Sequence, residues 1–129
     1  MAHGGICPYP LTIPALALPK TLPDVRARIR VHFTHPQLAE TAALCASELV
    51  TNVIVHVGEG TPITLDLTQP GPYPRLAVTD PVACALPVLR DPDPTAEGGR
   101  GLLLLDALAH RWGVEQHADG KTVWCELGD

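Results

Sequence analysis

Glu48-Leu-Val-Thr-Asn52-Val-Ile-Val-His56 sets three polar side chains four residues apart inside a long apolar run. At 3.6 residues per turn they stack along one face of a helix, drifting slowly around its axis. A carboxylate, an amide and an imidazole each need partners or water once buried, so the row is costly as plain core. Outward from it, Leu38, Ala42, Cys45, Leu49 and Val53 recur at helical spacing and predict a buried stripe. Thr34 or His35, with Pro36 in the first turn, opens this helix, and Gly58 stops it.

The flanking segments read as short elements. Residues 9–19 alternate loosely and predict an edge strand, where proline is tolerated. Asp24 is expected to cap a helix from about Val25 to Val31. Ile63 to Leu67 and Leu76 to Thr79 are strand-like, joined through a Pro/Gly turn from Gln69 to Pro74. Residues 81–99 carry four prolines and no sustained period, so they form a long loop of the kind that serves as a lid or binding element. Gly101 to Leu108 predicts a short apolar helix ended near Gly113. Val114 to His117 and Thr122 to Leu127 bracket a hairpin turn at Ala118-Asp-Gly-Lys121. The order β-α-α-β-β-loop-α-β-β favours an α+β two-layer sandwich of mostly antiparallel strands with helices on one sheet face.

At 129 residues, 46% hydrophobic and 18% charged, the chain is expected to pack as one domain over 1–129. A net charge of −5 argues against direct nucleic-acid or anionic-membrane binding. Cys7, Cys45, Cys84 and Cys125 are scattered without a C-x-x-C pair, which fits small buried thiols in a reducing compartment. The stretch Gly4 to Leu18 is broken by prolines and lacks a basic leader. It makes a poor signal peptide, and no run approaches bilayer-spanning length. A cytoplasmic protein is expected.

The polar groups point to nucleotide chemistry. Mg²⁺ prefers oxygen ligands and takes few from protein beside substrate phosphates, which suits the Asn52 side chain. Glu48, one turn earlier, is placed to take a proton from a group attacking a terminal phosphate. A solvent-facing polar edge is the plainer alternative, weakened by the apolar residues around it. His56 ordinarily serves as a helix-end dipole partner, and its place in the row also makes it a cofactor-contact candidate. Asp80, at a strand end, can accept the exocyclic amine of adenine, though an Asp-Pro turn explains it equally well. Gly99-Arg-Gly-Leu102 precedes the short helix, where glycines and unpaired N–H groups suit phosphate and Arg100 adds charge. Thr122 offers a hydroxyl for the same base pocket as Asp80, though surface strand polarity explains it equally well.

In this order, E-x-x-x-N-x-x-x-H at 48–56, Asp80, Gly99-Arg-Gly-Leu102 and Lys121-Thr122 resemble the GHKL ATP-binding superfamily. Within it the chain is similar to small anti-sigma factors, the serine-kinase regulators of partner switching. Glu97-Gly-Gly-Arg-Gly-Leu-Leu-Leu-Leu-Asp-Ala-Leu108 and Gly120-Lys-Thr-Val-Trp124 carry much of the likeness, which covers about residues 20–127. The resemblance implies a Bergerat fold with a mixed or antiparallel sheet, helices on one face, and 81–99 as the ATP lid. It implies Glu48 as catalytic base, Asn52 on Mg²⁺, Asp80 on adenine, and Gly99, Arg100 and Gly101 near the phosphates. It further implies a STAS-domain anti-anti-sigma protein as phosphate acceptor, a sigma factor as the other partner, and a homodimer as one arrangement. The family's Asp-x-Gly-x-Gly box is Asp80-Pro-Val-Ala-Cys84 here. That supports the alternative of a non-catalytic module that kept the fold and lost turnover.

Overall fold

The edge-strand expectation is met in β1 (Leu11–Leu16), which pairs antiparallel with β2 (Pro62–Thr68) from Leu11↔Leu67 to Leu16↔Pro62. The computed structural model describes residues 10–82, 105 and 107–128. Pro14 sits opposite Thr64 in this outermost strand, where its missing N–H costs no ladder bond on the open side. With β3 (Arg75–Asp80), β4 (Arg111–His117) and β5 (Gly120–Glu126), the sheet runs β1-β2-β3-β5-β4. Its four pairings are all antiparallel, so the mixed sheet allowed by the resemblance is not found among the described residues.

Strand alternation fixes the two faces. Ile63, Leu65, Leu67, Leu76, Val78, Val123 and Cys125 are buried on the side that meets the helices. The opposite side is polar: Arg75 lies 4.8 Å from the Trp124 ring and pairs with Glu115 at 3.2 Å, while Arg111 pairs with Glu126 at 3.0 Å. One sheet face covered and one open is an α+β two-layer arrangement.

The covering layer is α1 (Leu22–Arg30) and α2 (Pro36–His56). Thr21 holds the N-cap position of α1, so Asp24 lies inside the first turn rather than before it. There it still complements the helix dipole. Val25 and Ile29 face inward, and Arg26 donates to Ser47 Oγ of α2 at 3.1 Å. His35 caps α2, accepting from the Leu38 N–H at 3.3 Å, with Pro36 in the first turn. At the far end, the N–H groups of Val57 and Gly58 both reach Val53 O, and Gly58 exits at φ +143°.

The α2 stripe is wider than spacing predicts. Ala42, Cys45, Leu49 and Val53 are buried as expected, but so are Ala39, Ala43, Ala46 and Val50, while Leu38 is only partly covered. The helix lies against both the sheet and α1, and the alanines allow that double contact. Its length and composition do reach those of a bilayer span, at 21 residues and mean hydropathy 1.4, contrary to the sequence expectation. Core packing accounts for that apolarity, since 56% of the stretch is buried.

Leu105, Ala107 and Leu108 are helical, within the expected Gly101–Leu108 helix. Gly113 does not end it: helical structure stops at Ala109–His110 and β4 has begun by Arg111. A Cβ on Gly113 would lie 2.8 Å from the Trp124 ring across the ladder, so glycine here serves strand packing rather than helix termination.

Candidate functional site

The helix row and the strand ends meet in one hollow. Its walls are Leu49, Asn52, Val53, His56 and Val57 from α2, Val78 and Asp80 from β3, and Lys121 and Val123 from β5. The free volume is about 10 Å³, room for a single water.

Asn52 projects from α2 about one turn before the helix ends at His56 and is 6% exposed. Its Oδ1 has no hydrogen-bond partner among the described residues. An unmet buried acceptor costs about 1–3 kcal/mol, so this oxygen is set up for a donor or cation that the described residues do not supply. His56 lines the same hollow from an exposed position in the last turn. Glu48, one turn before Asn52, is half-buried and is not among the lining residues. Desolvation holds its carboxyl above the ordinary value of 4.5.

Asp80 forms the Asp-Pro turn that is one of the two readings placed on it. Its Oδ1 accepts the Val82 N–H at 2.9 Å, a turn across Asp80-Pro81. Its Oδ2 lies against the Lys121 ammonium at 2.8 Å, without a well-directed hydrogen bond. Lys121 Nζ also reaches Val82 O at 3.4 Å. The side chains are 0% and 4% exposed, a nearly dry ion pair. Buried pairs are weak contributors to stability because desolvation offsets their attraction, which makes this one a functional feature to explain.

Thr122 is not where sequence reasoning put it. Asp80 pairs with Lys121 in the β3–β5 ladder and Thr79 with Thr122, so alternation sends the threonines to the opposite sheet face. There Thr122 Oγ1 bonds Thr79 Oγ1 at 2.8 Å and His117 Nε2 at 2.9 Å. The group sharing Asp80's face is the Lys121 ammonium, which the Lys121-Thr122 phrase contained but whose side only the strand register reveals. Gly120 enforces that register, since a Cβ there would run into the Asp80 carbonyl oxygen. Gly99, Arg100, Gly101 and Leu102, and most of the expected lid, lie outside the described residues. No cluster of three or more His, Cys, Asp or Glu suited to a metal occurs among the described residues. Cys45 and Cys125 are free and buried in the core.

Two comparisons bear on this geometry. The chain is 51% identical over 82 residues to an uncharacterized protein of Streptomyces coelicolor, a match spanning 62% of this chain and 78% of the relative. The histidine kinase-like ATPase domain family matches residues 15–127, which include every element around the hollow. The chain accordingly belongs to the family of histidine kinase-like ATPase domains.

Proposed function

We propose that the hollow between α2 and the β3–β5 strands binds ATP with Mg²⁺, and that the protein is an anti-sigma-like regulator passing the γ-phosphate to a serine or threonine of a STAS-domain antagonist. The observation that carries the nucleotide part is the orphaned Oδ1 of Asn52, buried in the same hollow as the Asp80 carboxylate. A hard oxygen donor with no internal partner fits Mg²⁺, which needs few protein ligands when phosphates and waters supply the rest. Asn52 would hold the ion, and bound Mg²⁺ supplies neutralisation of phosphate charge. Asp80 would face the base, with Leu49, Val53, Val78 and Val123 as apolar walls. Glu48 would take the proton of the attacking hydroxyl, and its desolvation, by raising basicity, suits it to that task.

The sigma factor and the antagonist are partners by resemblance, and the family assignment supports the ATP site more directly than either. A second reading, a binding module without turnover, is favoured by two observations. Glu48 does not line the hollow, and the chain after Asp80 lacks the family's glycines. Titration with ATP in the presence and absence of Mg²⁺, followed by incubation with labelled ATP and a STAS-domain protein, separates them. Binding with label on Ser or Thr supports the kinase; binding without label supports the module; no binding removes the nucleotide site.

A further inference from the structure

The Asp80–Lys121 pair gives the base end of the hollow a donor as well as an acceptor. Resting on the nucleotide reading above, we infer that Lys121 sets base selectivity and opens the site to 6-oxopurine nucleotides such as GTP and ITP alongside ATP.

The argument is one of hydrogen-bond valence. An ionised carboxylate only accepts, and an ammonium only donates, with three N–H bonds. Asp80 Oδ1 is engaged by the Val82 N–H, whereas Oδ2 meets charge but no well-directed donor and can still accept. Lys121 Nζ donates to Val82 O and sits beside Asp80 Oδ2 without a well-directed bond to it, so among the described residues the ammonium keeps donor capacity to spare. Both side chains line the hollow.

Adenine presents an amine donor at position 6 and an acceptor at N1. A 6-oxopurine presents the reverse, an acceptor at O6 and an N1–H donor. A lone carboxylate accepts from the adenine amine, but in the same pose it faces O6 acceptor to acceptor, and if the base shifts to give it N1–H, O6 is left without a donor. With an ammonium beside it, either edge is satisfied: the amine to Asp80 with Lys121 to N1, or N1–H to Asp80 with Lys121 to O6. Apart from Asn52, assigned to the metal, and His56 at the exposed helix end, the remaining walls are aliphatic and do not distinguish the two. Discrimination by an unpaired buried polar group is what makes a site selective, and here neither base leaves one.

The test is calorimetric titration of the intact protein with ATP, GTP and ITP, each with Mg²⁺. ITP isolates the 6-oxo group from any crowding at the 2-amino group of GTP. The expected result is an ITP Kd within about tenfold of the ATP Kd. Lys121→Met keeps side-chain length and removes the donor, and should weaken ITP relative to ATP by about 100-fold, while Lys121→Arg keeps ITP binding. ITP bound with GTP excluded upholds the role of Lys121 at the 6-oxo group and overturns GTP as a ligand, because only the 2-amino group then differs. Wild-type preference for ATP over ITP by 100-fold or more overturns it and leaves the ATP site standing; that result means Lys121 swings away when the base enters. Failure of all three to bind overturns the site and the inference together. If Lys121→Met does not fold by circular dichroism, the wild-type ratio and the Lys121→Arg variant decide.

Discussion

Asn52 and Glu48 are both held in surroundings that disfavour them, and the cost is measurable. Replacing Asn52 by leucine removes an unmet acceptor for a side chain of similar size. Asn52→Leu should raise stability by about 1 kcal/mol in urea unfolding while abolishing Mg²⁺-dependent ATP binding. Retained binding would remove the metal role. For Glu48 the sign follows from its raised folded pKa, caused by desolvation. The native state holds the proton more tightly than the unfolded chain, so the favourable contribution is complete below about pH 4.5 and is lost as pH rises through the folded value. Glu48→Gln should therefore melt higher than wild type at pH 7 to 8, with the gap closing towards pH 4. A gap that is flat in pH would contradict the desolvated carboxyl. The same variant should lose phosphate transfer and keep ATP affinity. These two residues were legible from sequence because polar groups in an apolar helix stand out. Lys121 was not, because a lysine beside a hairpin turn is ordinarily solvated, and only pairing with β3 shows that it points inward.

Helix α2 and the strands were readable to within a few residues, since each carries its own period and stop signal. The errors fell where one element leans on another. Asp24 looked like a cap, but the α1 helix starts earlier, behind a 3-10 turn at Pro19–Thr21. Gly113 looked like a helix stop, but its real neighbour is Trp124 on the adjacent strand. Thr122 lies on the face away from Asp80, which the sequence does not reveal because alternation has no absolute phase until a partner strand sets it. Gly120 is what sets it here. In Gly120→Ala the added methyl meets backbone rather than a movable side chain. The expected loss is about 1–3 kcal/mol in denaturant unfolding, with ATP affinity falling as the Asp80–Lys121 register shifts. By contrast, Arg30 and Glu40 pair at 2.9 Å on the exposed side of the helix layer. Arg30→Ala should change stability by no more than about 0.5 kcal/mol, because such pairs are solvent-screened. A loss several times larger would show that α1 is anchored through that pair and not through Val25 and Ile29.

The architecture joins a helix near the middle of the chain to strands near its end, and binding should tighten the whole. ATP with Mg²⁺ should raise the melting temperature progressively with concentration, since a ligand at 100 times its Kd adds about 2.7 kcal/mol to the folded state. A melting temperature indifferent to ATP would refute binding to the native form. The α+β class was legible because the order of helical and strand-like segments admits few layerings. The strand order was not, since nothing local says that β5 inserts between β3 and β4. That insertion has a kinetic consequence. Thr79 and Thr122 are 43 residues apart in sequence, and Thr12 and Asp66 are 54 apart, yet both pairs touch across neighbouring strands. Loops of that length must close before their contacts give any return, which places refolding in the slow, milliseconds-to-seconds regime of non-local topologies. Trp112 and Trp124 sit in the last two strands, so their fluorescence would time the arrival of the carboxy-proximal hairpin. Until it docks, Asp80 has no ammonium beside it, and a half-folded molecule lacks one wall of its nucleotide hollow.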